Sequence, residues 1–117
     1  MLLLHYPSWT SSRKAKAWLD DNEFSYELRL IHKDNPKANE VREWMKKSGL
    51  DLKRFFNTNG KVFKELNLKD RWASLSEEEL LSLLESDGML HKRPVLVGDD
   101  FVLTGFKLAE WESKLKG

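Results

Sequence analysis

Within the first thirty-one residues the chain goes from an apolar run to a helical pattern and back to an alternating run, and this most constrains its fold. Met1-Leu2-Leu3-Leu4-His5-Tyr6 is short, apolar and stopped by Pro7, the mark of a buried strand. From about Ser11 to Asn22 the apolar residues Ala15, Trp18 and Leu19 recur at i, i+3 and i+4 between charged neighbours, as an amphipathic helix requires. Phe24 to Ile31 then alternates, with Phe24, Tyr26, Leu28 and Leu30 set against Ser25, Glu27 and Arg29, so the expectation is a strand burying the Phe/Tyr/Leu side. Strand, helix and strand at this spacing form a βαβ unit, whose crossover is right-handed and whose strands are parallel. The loop Tyr6 to Ala15 carries the start of the helix, where unpaired amides and the positive end of the helix dipole favour anions and acidify thiols.

The chain, with 117 residues of which 40% are hydrophobic, is expected to be one domain over residues 1–117. Asp34-Asn35-Pro36 closes the βαβ unit, and Val41, Trp44, Met45 and Leu50 lie on a helical stripe ended by Gly49. Short helical pieces are expected around Leu52–Phe56 and Val62–Leu66. Ser76 and Glu79 have capping-box spacing ahead of Leu80, Leu81, Leu83 and Leu84. Pro94-Val95-Leu96-Val97 and Phe101-Val102-Leu103-Thr104 flank Gly98-Asp99-Asp100 as a hairpin, and Leu108, Trp111 and Leu115 give a last helix. The order is βαβ, a helical insertion at about 36–86, then ββα: an α/β (α+β) fold with a mixed four-stranded sheet.

Composition narrows the chemistry. Twenty Lys and Arg against nineteen Asp and Glu leave a formal charge of +1, so nothing global selects nucleic acid or an anionic membrane, and direct nucleic-acid binding is not expected. Between Pro36 and Arg71, however, ten basic residues face five acidic ones, a modest local surplus. No apolar run reaches the ~20 residues of a membrane span, and Leu2–Tyr6 lacks the basic flank of a signal peptide; the expected location is cytoplasmic. There is no cysteine, which excludes disulfides and thiolate metal sites, and His5, His32 and His91 have no metal-ligand spacing, so no metal is expected.

The βαβ…ββα order with proline opening the third strand is the thioredoxin arrangement. Tyr6-Pro7, Arg13 to Leu19, Ser48-Gly49-Leu50, Phe55-Phe56-Asn57-Thr58, Glu65 to Asp70, Ser86-Asp87-Gly88-Met89-Leu90, Lys92-Arg93-Pro94 and Gly105-Phe106-Lys107 resemble, in order, the motifs of the arsenate reductase (ArsC)-like family that includes the Spx and MgsR regulators. That family commonly carries Cys-x-x-Cys-Arg or Cys-x-x-Ser-Arg before its first helix; here Trp9 and Ser12 hold the two motif positions, ahead of the matching Arg13. Arsenate reduction needs a low-pKa thiolate at the first position, and an indole does not replace it, so no catalytic residue is expected. Of the arginines with which the reductases surround their oxyanion, only Arg93 is matched; Asn57 and Phe106 stand near the other positions.

The resemblance leaves Trp9, Thr10, Ser11, Ser12, Arg13, Arg93 and Pro94 as ligand-binding candidates. Pro94 is expected to be cis beside the loop. Arg93, with Arg13, either holds an anion at the helix start or pairs with a carboxylate. Ser11 and Ser12 either cap the helix or, for Ser12, activate a bound thiol. Trp9 either fills a substrate's place or anchors a partner. His91 is expected at a strand edge or on the surface. The expected function is that of a monomeric, redox-inactive binding or transcription-regulatory protein that uses no cofactor and contacts RNA polymerase or another protein. The alternative is a transferase or reductase using glutathione.

Overall fold

The computed structural model describes residues 1–117. Four strands, β1 (Leu2–His5), β2 (Glu27–Leu30), β3 (Val95–Val97) and β4 (Val102–Thr104), form one sheet in the order β2-β1-β3-β4. β1 and β2 are parallel, while β3 runs antiparallel to both β1 and β4. Six helices complete the chain: α1 (Thr10–Asp21), α2 (Ala38–Ser48), α3 (Lys61–Glu65), α4 (Leu68–Arg71), α5 (Glu77–Ser86) and α6 (Leu108–Lys116). Single 3-10 turns lie at Leu52–Phe55, Trp72–Ser74 and Gly88–Leu90. This is the expected mixed α+β sheet, with the helices α2 to α5 inserted between its halves.

Side chains alternate across each strand, so the sheet has two apolar faces and a core on each. On one face Leu4, Val95, Val97 and Val102 meet the insertion through Val41, Trp44, Leu80, Leu81 and Leu84. On the other, Leu3, Leu96 and Leu103 pack against Ala15 and Leu19 of α1 and Trp111 of α6. Trp111 is fully buried, and its indole N–H donates to Gly105 O at 3.0 Å, so its one polar atom is satisfied. Each fully buried Leu contributes about 1.5–3 kcal/mol, which is why the alternation is enough to set the register.

The helix ends follow their local chemistry. Gly49 takes φ 72°, the left-handed turn that stops α2. Ser76 Oγ accepts the Glu79 amide at 3.1 Å and the Glu79 carboxylate accepts the Ser76 amide at 3.1 Å, the reciprocal cap expected for α5.

β2 departs from the expectation. It begins only at Glu27; Phe24 lies before it, stacked on Trp18 at 5.6 Å. Leu28 is 43% exposed, whereas the Arg29 side chain, read from the alternation as the solvated one, is only 14% exposed. The reason is a bidentate ion pair. Arg29 donates to both oxygens of Glu40 (2.6 and 3.0 Å) and to the carbonyls of Asp34 (2.8 Å) and Asn35 (3.1 Å), which ties the edge strand to α2. With four of its five N–H donors bonded, two of them to a carboxylate, the guanidinium is covered at little cost.

Candidate functional site

The end of β1, the start of α1 and the turn into β3 converge. α1 starts at Thr10, one residue earlier than expected, so its N-cap is Trp9 rather than Ser11 or Ser12, and no side chain caps the helix. The Arg93–Pro94 peptide is cis, as expected. Pro94 O accepts the Gly105 amide at 2.8 Å, which holds the β4–α6 loop beside the Trp9 loop.

Arg93 is the centre of the arrangement. It is 7% exposed and meets no carboxylate, so the ion-pair expectation fails; its Nη1 donates instead to the carbonyls of Met89 (3.1 Å) and His91 (3.4 Å). Its guanidinium lies 5.0 Å from the Tyr6 ring centroid and 4.6 Å from that of Trp9, sandwiched between two aromatic faces. Burial pushes the guanidinium below the ordinary arginine value, opposed by Tyr6 and Asp87. Its Nε is buried without a partner. Trp9 is therefore both lid and surface: one face covers Arg93, and 38% of the residue is exposed.

Ser12 is not a cap and does not reach the cleft. It is fully buried, with Oγ 2.7 Å from His5 Nδ1 and accepting the Tyr6 amide at 3.0 Å. The hydroxyl closes the end of β1 onto α1, which leaves no geometry for activating a bound thiol. Burial first, and then the charge of Lys16, lower the His5 pKa; the Ser12 bond works the other way. Arg13 also departs from the anion expectation. It turns away from Arg93, donating to Pro7 O (3.0 Å) and Thr10 Oγ1 (3.4 Å), and lines a separate hollow with His5, Pro7 and Lys16. His91, expected at a strand edge or on the surface, forms an isolated antiparallel bridge with Phe56 but is completely buried against Trp44 and Phe55, because its Nδ1–H donates to Lys92 O at 2.7 Å and its ring packs edge-on against both aromatics.

Of the candidates, Trp9, Ser11 and Arg93 line one cleft of about 350 Å³. Its remaining wall includes Lys53, Arg54, Lys92, Lys107, Asn57 and Thr104, and it contains no carboxylate. Lys92 is lowered in pKa by burial first and then by the charges of Lys107 and Arg54, as crowded like charges require. Asn57 is 6% exposed, and its side-chain amide nitrogen has no partner. None of these wall residues is among the candidates; Asn57 only stands near one of the reductases' arginine positions. The local basic surplus after Pro36 was the signal for Lys53 and Arg54; nothing local marks Lys107, which the β4–α6 turn brings in.

The fold and the vacated cysteine loop define a thioredoxin-like protein of arsenate reductase type without its thiols. The ArsC family matches residues 4–113, and the chain belongs to that family. It is 46% identical over 109 residues to the uncharacterized protein YusI of Bacillus subtilis, covering 92% of this chain and 91% of that one. It is 30% identical over 100 residues to the global transcriptional regulator Spx 1 of Bacillus cereus, covering 86% of this chain and 75% of the regulator. Among solved structures, an ArsC family related protein from Bacteroides fragilis superposes with a TM-score of 0.90 at 47% identity, over 96% of this chain and 94% of that one. An arsenate reductase from Vibrio cholerae shares the fold at TM-score 0.82 and 22% identity, over 98% of this chain and 94% of its own.

Proposed function

We propose that this chain is a non-catalytic binding protein of the ArsC family, acting in transcription regulation through contact with another protein. One observation carries the reading: the position from which a thiolate would attack holds the Trp9 indole stacked on Arg93, and the hydroxyl at the second motif position, Ser12, is buried on His5. No thiol of the loop faces the cleft; beside the Ser11 hydroxyl, an exposed aromatic face and a cationic rim line it, which suits recognition rather than turnover. The relative Spx 1 is named a global transcriptional regulator, and the resemblance to Spx implies RNA polymerase as the partner. Affinity capture with the tagged chain in its own host tests this. Polymerase subunits recovered at near-stoichiometric level support it, and their absence refutes the regulatory role.

A second reading is favoured by the carboxylate-free cleft: glutathione, itself anionic, seated beside Trp9 and Arg93 and supplying the thiol this chain lacks. Titration of glutathione against the Trp9 and Ser11 amide resonances decides it, and no shift at millimolar ligand retires the idea.

A further inference from the structure

A second cavity, of about 520 Å³, opens beside the first and shares Lys53, Thr58 and Asn59 with it as a common wall. It is lined further by Lys64, Asn67 and Lys69, with Asp70 as its single carboxylate. The two together make a continuous trough from Lys107 and Lys92, past Arg54 and Lys53, to Lys64 and Lys69. Only Lys16, Arg29, Arg42 and Lys61 of the chain's Lys and Arg make salt bridges, and none of these six does; what sets the six apart is that they line two adjoining cavities holding one carboxylate between them. Lys53 instead rests 5.3 Å from the Trp72 ring centroid, and Arg54 reaches only the Thr104 hydroxyl, at 3.5 Å. A row of cations left without counter-charge, around buried donors without acceptors, is complementary to an anionic chain rather than to a single ion.

Three anionic chains fit that charge, and the walls choose among them. Duplex nucleic acid presents phosphates on a broad convex surface that meets a trough at its rim, whereas the unpartnered donors here, Asn57 Nδ2 and Arg93 Nε, are buried. Single strands need open aromatic faces on which bases stack. Phe56 and Phe63 are buried and each packs against Trp72, and Phe106 packs edge-on against Trp111, so the one exposed face of Trp9 offers a single platform where successive bases need several. An extended acidic peptide asks for neither. Its carboxylates suit flexible lysines, and its backbone carbonyls suit the exposed amides of Asn59 and Asn67.

Resting on the binding-protein reading, we infer that the trough running over Lys53, Thr58 and Asn59 receives an extended acidic segment of the partner protein. The test titrates the full chain with a hexaglutamate peptide, following amide resonances. Hexaglutamine, glutathione and an oligothymidylate of equal charge serve as comparators. The expected result is saturable shifts along Lys53, Lys64, Lys69, Lys92 and Lys107, with affinity falling at least tenfold between about 50 and 300 mM salt. The exposed double variant K64E/K69E should lose at least tenfold in hexaglutamate affinity, while K33E, outside the trough, should lose less than twofold. No shift at millimolar hexaglutamate, or equal binding of glutathione or hexaglutamine, overturns the inference, as does tighter binding of the oligothymidylate. Capture of polymerase that K64E/K69E leaves intact refutes the trough but not the regulatory reading. Hexaglutamate binding without polymerase capture upholds the trough and refutes that reading.

Discussion

Lowering the pH from about 7.5 to about 4.5 should cost this fold about 2.5 kcal/mol through one residue, His91. The imidazole is completely buried, its Nδ1–H is committed to Lys92 O, and its Nε2 has no partner. A second proton would sit on Nε2 among aromatic rings, with no acceptor. Burial above all, helped by the charges of Arg93 and Arg29 and opposed by the Lys92 carbonyl, lowers the pKa from 6.5 to about 4. Above pH 6.5 the folded and unfolded chains are both neutral at this site, so stability does not depend on pH through it. Between 6.5 and about 4 the unfolded chain takes up a proton that the folded chain refuses, so stability falls as pH falls, by about 1.4 kcal/mol per pH unit. The loss ends near pH 4, where the folded state also protonates. Urea unfolding of the wild type and His91→Leu, followed by far-UV circular dichroism, isolates the effect, because every other titrating group is shared. At pH 7.5 the variant should be the less stable by about 1–3 kcal/mol, since Lys92 O loses its donor. That gap should close by about 2.5 kcal/mol at pH 4.5. Parallel curves, with the gap changing by less than about 1 kcal/mol, would refute the argument.

Ser12→Ala removes a buried oxygen that serves both His5 and the Tyr6 amide, and should cost about 1–3 kcal/mol in thermal unfolding; a loss below about 0.5 kcal/mol would show the bond to be dispensable. Glu40→Gln breaks the charge pairing that holds Arg29 over the core, and about 1–3 kcal/mol of stability should go. The Arg29 bond holds the Glu40 carboxyl below its ordinary 4.5, so the pair's contribution is present above about pH 4.5 and fades as pH falls further, a fading the variant should not show. Trp9→Cys places a thiol at the start of α1 beside Arg93, and its thiolate, followed by ultraviolet absorbance, should form below the free value of about 8.5. Arg93→Met in that background should move it back toward 8.5, and an unshifted thiol in Trp9→Cys would show that the frame no longer acidifies the position.

Most of the framework was legible because strong local signals agreed with the tertiary result: the βαβ unit, Gly49, the Ser76–Glu79 box and the Gly98–Asp100 hairpin. β2 shows where that agreement stops. Period two distinguishes the two sides of a strand, but it does not say that an arginine side will be covered, because the Arg29–Glu40 pair joins residues eleven apart and only the folded helix α2 brings them together. The turns at Leu68–Ser74 were invisible for a related reason, since pieces of three or four residues carry less than two periods. At the site, the resemblance located Trp9, Ser12, Arg93 and Pro94, but residue type alone left Ser12 and Arg13 facing the cleft. Their directions depend on where α1 starts, and a helix beginning at Thr10 turns Ser12 inward.

The trough and the lost thiol have a common logic in where positive charge sits. By its resemblance to the reductases, the chain keeps one of the arginines that would enclose a small oxyanion, and the structure puts an indole over that one. Asn57 and Phe106 contribute no charge to the same cleft, yet Lys53, Arg54, Lys92 and Lys107 line it. Charge has thus moved from the floor to the rim, and from rigid forks mainly to flexible lysines. An exposed contact of that kind is worth about 0.2–1 kcal/mol. A small anion touching two of them gains at most about 2 kcal/mol, short of the ~4 kcal/mol that even a millimolar dissociation constant requires. A chain that meets six at once reaches that range without any buried ion pair. The rearrangement is therefore unfavourable to a compact tetrahedral substrate and favourable to a long, salt-sensitive partner whose other contacts add to those of the six cations.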